Sequence, residues 1–243
     1  MERPRVRVVV VGVEGEINLG FIVRLCKNFD VDELYLVNPR VNPMDPEVRR
    51  FAARGCDYLD SGRVVIVDSL DKALEGVTLS GCTSAHVGRE GDILRKALDI
   101  EEFVEVASRY SSVAIVFGRE SVGLTRDEIA KCDLLVHIPA SPEYPTLNLS
   151  HAVAIALYAM YRKASRRSSM EVLDLATEES IKIADKYIEK LASIVGSDDR
   201  QRSSMSLILR RMLRTSKLTK AELGYVTIFF RRLGQILEKC IER

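Results

Sequence analysis

Three short segments combine amide, hydroxyl and guanidinium side chains with glycine or proline, the mixture from which polar ligand sites are built. The first, Asn18-Leu19-Gly20-Phe21-Ile22-Val23-Arg24, sets an amide and an arginine six residues apart. The second, Val116-Phe117-Gly118-Arg119-Glu120-Ser121-Val122-Gly123-Leu124-Thr125, joins two glycines to an ion-forming pair. The third runs from Ile138 to His151 and includes Thr146, Leu147, Asn148, Leu149 and Ser150. Pro139, Pro142 and Pro145 fix φ at three points of that loop and withhold three amide donors, so it is stiff and cannot pair as a strand. Asn148 stands where it can cap the apolar helix that follows. A rigid polar loop between a strand and a helix is where a ligand site is expected. Arg24 offers a planar fork that can hold an anion at two points.

Each segment also has a plainer reading. Arg24 fits a surface arginine, Asn18 a helix cap, Gly118 a helix-entry turn, Thr83 a strand-end hydroxyl, and the proline loop a simple turn. Glu120 orders its own loop or pairs with Arg119 or Arg126. Other chemistries are disfavoured outright. Gly12, Gly15 and Gly20 have the wrong spacing for a dinucleotide fingerprint, which speaks against an oxidoreductase, and no P-loop is present. His86, His137 and His151 lack metal-ligand spacing, so no metal site is expected. No nucleophile elbow occurs.

The elements that must position these segments alternate. Arg5–Gly12, Leu34–Val37, Val64–Val67, Val77–Cys82, Val113–Phe117 and Leu134–Ile138 read as strands. Helices are expected at Phe21–Phe29, Glu47–Ala53, Ser69–Glu75, Glu101–Arg109 and Leu149–Tyr161, with one capped by Thr125. The loop before the first runs Val13–Gly20. Leu149–Tyr161 is apolar on nearly every face, the mark of a buried helix. Such alternation implies an α/β domain with a parallel sheet and helices on both faces. Ligands of such sheets bind at the carboxyl ends of the strands, where all three segments fall. Beyond Ala164 the character changes. Arg166-Arg167-Ser168-Ser169 reads as a linker, and helices follow at Thr177–Val195, Arg200–Ser216 and from Thr219, with Glu222 completing a capping box. Met205, Leu209, Met212 and Leu213 are expected inward on the second of these. Leu223, Val226, Phe230, Leu233, Leu237 and Ile241 form the seam of the third. The domains are thus 1–164 and 165–243.

Charge follows the same division. Residues 1–164 carry a net of −4, and residues 165–243 a net of +5. Residues 200–243 alone hold eleven Lys and Arg against three Asp and Glu. A basic tail on a mildly acidic body points to a polyanionic partner held by the tail. Arg210, Arg214 and Lys217, at helical spacing, are its candidate contacts. The five cysteines show no C-x-x-C pair, and thiols in a reducing compartment are expected rather than disulfides or zinc. No signal peptide or membrane span is read, which places the chain in the cytoplasm.

In order and position, the three segments resemble the three motifs of the SpoU branch of the SPOUT RNA methyltransferases, most closely the TrmJ-type tRNA ribose 2′-O-methyltransferases. The likeness extends to Leu36-Val37-Asn38-Pro39 and Gly81-Cys82-Thr83-Ser84-Ala85, and covers residues 5–163. It implies a trefoil knot at the carboxyl end of the sheet, S-adenosylmethionine bound there, and an active site formed across a homodimer. It implies that Thr83, Ser84, Ala85, Gly118, Ile138, Pro145, Thr146, Leu147 and Asn148 line the cofactor pocket. Arg24, Asn18 and Asn148 become the catalytic candidates, with Arg24 holding an RNA phosphate bidentately and stabilising the developing alkoxide rather than acting as a base, because guanidinium stays protonated. The expected substrate is tRNA, at the ribose of nucleotide 32, with cytidine the favoured base. The rivals are a ribosomal RNA methyltransferase of the same fold and a non-catalytic RNA-binding protein.

Overall fold

A computed structural model describes residues 3–85, 97–166 and 175–241. His86 and residues 167–169 of the expected linker lie outside them. The chain divides into two compact units, Met1–Ser168 and Ser169–Arg243.

The first unit is built on seven strands: β1 (Arg5–Val11), β2 (Glu33–Val37), β3 (Val64–Val67), β4 (Leu79–Thr83), β5 (Ala97–Asp99), β6 (Ser112–Phe117) and β7 (Leu134–His137). All are parallel, in the order β3-β2-β1-β6-β4-β7-β5. The central strands are near-continuous Val and Ile because both faces are covered. Val8, Val9, Val10, Val113, Ile115 and Val116 are fully buried. β5 was not expected. At three residues it is too short to show periodicity, and it adds an edge beside β7.

The helices are α1 (Glu16–Asn28), α2 (Pro46–Ala52), α3 (Cys56–Asp60), α4 (Leu70–Leu74), α5 (Ile100–Ala107), α6 (Arg126–Ala130) and α7 (Leu149–Arg166). Side chains of Asp45, Ser69, Asp99 and Thr125 accept from the first-turn amides of α2, α4, α5 and α6, satisfying donors that the helix itself cannot.

Three expectations need correction here. First, α1 begins at Glu16, so Asn18 sits in its first turn and Gly20 inside the helix, not in a loop. A Cβ on Gly20 would lie 2.6 Å from both the Phe51 Cβ and the Val48 carbonyl, so glycine is there to let α1 and α2 touch. Second, α7 is not buried all round: Ile155, Tyr158 and Tyr161 are 41%, 55% and 48% exposed. One face packs on α1 and α5, and the opposite face stays largely open, touched by the Phe29 ring at Tyr158 and Tyr161. Third, Cys82 and Cys132 form a disulfide, with Cα atoms 5.8 Å apart. β4 pairs with β7, which brings together residues separated by 50 positions. Cys26, Cys56 and Cys240 are free.

The second unit packs α8 (Glu178–Val195) against α9 (Asp199–Thr215) and α10 (Lys220–Ile241). Thr177 and Asp198 cap α8 and α9, and Thr219 exchanges hydrogen bonds with Glu222 at the start of α10. Its core holds Ile181, Ala184, Ile188, Leu191, Leu213 and Leu223. Met212 and Ile241, expected inward, are 60% and 69% exposed. The expected basic stripe is also corrected. Arg214 is buried and holds Asp185 with both terminal nitrogens, at 3.1 and 2.7 Å, because its face of α9 is turned toward α8. Arg210 pairs with Glu189. Lys217 is exposed.

Candidate functional site

β4 lies between β6 and β7, so three chain segments emerge side by side at the carboxyl edge of the sheet. The register pairs Cys82 with Val116 and Thr83 with Val136. Ser84-Ala85, Gly118 and Ile138 therefore leave their strands at about the same level. Thr83 Oγ1 donates to the Val116 carbonyl at 2.9 Å, and the Ser84 amide donates to the Val136 carbonyl at 3.0 Å. His137 Nδ1 lies 3.1 Å from the Ser84 carbonyl, a contact that requires the proton on Nδ1. These bonds fix the rim of the site before any ligand arrives. The disulfide sits immediately behind it, one residue before Thr83.

The Gly118–Gly123 loop is closed on itself. The Arg119 amide donates to the Gly123 carbonyl at 3.2 Å and the Gly123 amide returns the bond at 2.9 Å. A Cβ on Gly118 would lie 2.2 Å from the Gly123 carbonyl carbon, so that glycine is demanded by the turn's own backbone. Arg119 reaches forward to Glu128 with two hydrogen bonds, at 3.0 and 2.9 Å. The Arg119 guanidinium holds the Glu128 carboxyl below the usual carboxylate range, and Glu128 raises Arg119 in turn.

Glu120 turns the other way. Its carboxylate accepts from the Glu14 amide at 3.0 Å, the Gly15 amide at 3.2 Å and the Asn18 side-chain amide at 3.0 Å. Asn18 Oδ1 accepts in turn from Asn148 Nδ2 at 3.1 Å. Asn148 Oδ1 accepts from the Ser150 amide and hydroxyl at 2.9 and 2.7 Å, which caps α7. The three segments thus share one hydrogen-bonded chain, Glu120–Asn18–Asn148–Ser150. Glu120 was expected to order its own loop or to pair with Arg119 or Arg126; it instead orders the first segment, and Arg119 pairs with Glu128. Glu14 adds a second tie, accepting from the Ser121 amide and hydroxyl while paired with Arg40. Its carboxyl is lowered, first by the Ser121 hydroxyl.

Arg24 is not part of this chain. It lies six residues beyond Asn18 on α1, about 9 Å along the axis and roughly 120° around it. It is exposed and, among the described residues, makes no hydrogen bond or ion pair. Glu14, Glu128 and His137 were missed as site-building residues. Only Glu128 had a sequence signal, three residues after Thr125 in a capping box; the other two act through tertiary pairing.

The donor set suits an adenosyl group. Ile138 is buried, Pro145 and Leu147 are half-buried, and Thr146 is exposed beside them, giving an apolar wall next to backbone and hydroxyl groups. Thr83 is the exception. Its hydroxyl proton is committed to Val116, leaving it only as an acceptor. Among the described residues no group of three His, Cys, Asp or Glu could hold a metal.

Residues 5–158 match the model of the SpoU rRNA methylase family. The chain belongs to this family. Its SpoU-type relatives include a Sulfolobus acidocaldarius protein described as tRNA (cytidine-2′-O-)-methyltransferase TrmJ, 42% identical over 86% of this chain and 84% of that one. A Pectobacterium atrosepticum relative described as tRNA (cytidine/uridine-2′-O-)-methyltransferase TrmJ is 43% identical over 63% of this chain and 62% of its own. A probable methylase family protein from Haemophilus influenzae, solved as a structure, superposes with a TM-score of 0.66 at 26% identity, over 98% of both chains.

Proposed function

We propose that the chain transfers a methyl group from S-adenosylmethionine to the 2′-oxygen of a tRNA ribose. The observation that carries this is the Glu120–Asn18–Asn148 chain, which ties three motif segments together at the carboxyl edge of the sheet. The substrate class rests on the relatives' described activity. The cofactor rests on the donor set and on the family, in which a fold neighbour from Sinorhizobium meliloti is an AdoMet-bound rRNA methyltransferase. A trefoil knot, formed as β7 and the Ile138–Asn148 loop pass the Gly118 loop, belongs to the same proposal.

When bound, the cofactor supplies a methyl already activated by the sulfonium, so much of the acceleration is positional. Ile138, Pro145 and Leu147 shield the adenosyl group from water. The rim of Ser84, Ala85, Gly118 and Thr146 offers backbone and hydroxyl contacts. Asn18 and Asn148 hold the start of α1 against the start of α7, which fixes the floor on which the ribose lies. Arg24 grips the RNA phosphate with its planar fork and stabilises negative charge as the 2′-oxygen attacks.

The distance of Arg24 from the Asn18 network supports a homodimer, in which Arg24 serves the partner's cofactor site. The exposed Ile155, Tyr158 and Tyr161 on α7, with Phe29 just after α1 set edge-on and tilted against the two tyrosines at 6.4 and 5.9 Å, are the surface proposed to pair. The proposed target is nucleotide 32 in the anticodon loop, favouring cytidine. An unpaired nucleotide is easier to splay out than a paired one, and exposed Glu143 and Tyr144 are the proposed contacts to the base. A tRNA substrate makes the cytoplasm the place of action. Labelled methyl transfer to total tRNA and total rRNA tests the reading: label in 2′-O-methylnucleosides of tRNA is expected, and label in rRNA alone favours the ribosomal alternative.

A further inference from the structure

The outer face of α10 carries a stripe that the fold of its unit does not use. Tyr225, Phe229, Arg232, Ile236 and Lys239 recur at spacings of four, three, four and three, which places them on one side of the helix. Tyr225 is 77% exposed, Phe229 62% and Ile236 59%, with Ile228 at 39% beside them. The opposite side packs on α8 and buries Leu223 and Gly234. Exposed apolar side chains in such a contiguous row mark an interaction surface.

Charge decides what kind of surface. Among the described residues Arg232 and Lys239 have neither ion pair nor hydrogen bond. The nearby carboxylates are committed elsewhere: Glu222 to the Thr219 amide and hydroxyl, Glu238 to Lys190. On α9, by contrast, Arg210 and Arg214 are taken up by Glu189 and Asp185. Uncompensated charge therefore borders the aromatic stripe, as it also stands at exposed Lys186 and Lys217 elsewhere in the unit. A second copy of the same face would set Arg232 and Lys239 against themselves with no uncommitted carboxylate among the described residues to answer them. A polyanion answers both, and the flat faces of unpaired bases answer the aromatic rings.

We propose that this face of α10 docks unpaired nucleotides of the tRNA substrate, with Tyr225 and Phe229 as stacking platforms and Arg232 and Lys239 on the adjoining phosphates. The inference rests on the tRNA reading above and moves the contact surface from the α9 stripe to α10.

The test uses the full chain and a tRNA transcript. The double variant Tyr225→Ala, Phe229→Ala is expected to weaken tRNA binding at least tenfold and leave S-adenosylmethionine affinity within about twofold. The exchange Tyr225→Phe with Phe229→Tyr keeps both rings and is expected to bind as the wild type does. Arg232→Gln is expected to lower the slope of log affinity against log salt by about one. Unchanged tRNA binding by the alanine pair overturns the proposal. So does a loss of binding that tracks a loss of dimer in sedimentation, which assigns the face to a second copy. A wild-type chain that binds no tRNA overturns the substrate reading itself, and this inference with it.

Discussion

At the scale of single residues, Arg24 and Asn18 stand on one helix but do different work. Asn18 is bonded at both ends of its amide, to Glu120 and from Asn148, whereas Arg24 is exposed and uncommitted. Arg24→Ala is therefore expected to slow methyl transfer by about a hundredfold or more, the scale of losing one oxyanion-type donor, with cofactor affinity changed less than twofold. Calorimetry of cofactor binding beside single-turnover rates checks this. A parallel loss of affinity would place Arg24 in the cofactor pocket instead. Arg24→Lys is also expected to be poor, since a point charge does not reproduce the fork. Gly118→Ala is expected to destabilise the first unit by about 1–3 kcal/mol, as overpacking does, because the new Cβ meets the Gly123 backbone. Thermal melts with and without cofactor read it directly.

Glu128 supplies a pH prediction at the same scale. Its folded-state carboxyl is lowered by Arg119, so its stabilising contribution is complete above the unfolded carboxylate value of about 4.3. That contribution falls as pH drops below this value and is lost on passing the lowered one. Glu128→Gln is thus expected to be less stable than the wild type at neutral pH and to converge with it in acid. Denaturant melts from pH 7 to pH 3 measure the gap; a gap independent of pH would show that the pair does not hold the loop through charge.

At the scale of elements, periodicity located six of the seven strands and every helix but the five-residue α3, with the start of α1 and the end of α7 each five residues off, because buried parallel strands and amphipathic helices announce themselves. It failed where tertiary contact decides. Gly20 reads as a loop residue, yet it lies within α1 so that α2 can approach. Arg214 reads as part of a surface stripe, yet it is sealed against Asp185. Cys82 and Cys132 show no telling spacing and meet only because β4 neighbours β7. The candidate site was legible as three segments at strand ends, but not as a network. Nothing in the local sequence says that Glu120 accepts from Asn18, 102 positions away. The disulfide joins β4, just before Thr83, to the turn leading into β7. Cys82→Ser with Cys132→Ser is expected to lower the melting temperature by several degrees, a disulfide being worth about 2–4 kcal/mol. An unchanged melting temperature would show that the parallel Ser80–Asp133 bonds suffice to hold that junction.

At the scale of the whole molecule, the chemistry is proposed to lie with the acidic first unit and the grip on tRNA with the basic helical second. Removing residues 169–243 is expected to weaken tRNA binding far more than cofactor binding, and binding by the intact chain should fall steeply with salt as counterions are released. A truncated chain that holds tRNA normally would assign the second unit another purpose. The most direct test of the account as a whole is mass spectrometry of nuclease-digested tRNA after reaction with S-adenosylmethionine. Two transcripts are compared, one unmodified and one carrying a 2′-deoxynucleotide at position 32. A single added methyl on the ribose of nucleotide 32 is expected in the first and none in the second. A methyl on a base, or equal methylation of both transcripts, would contradict it.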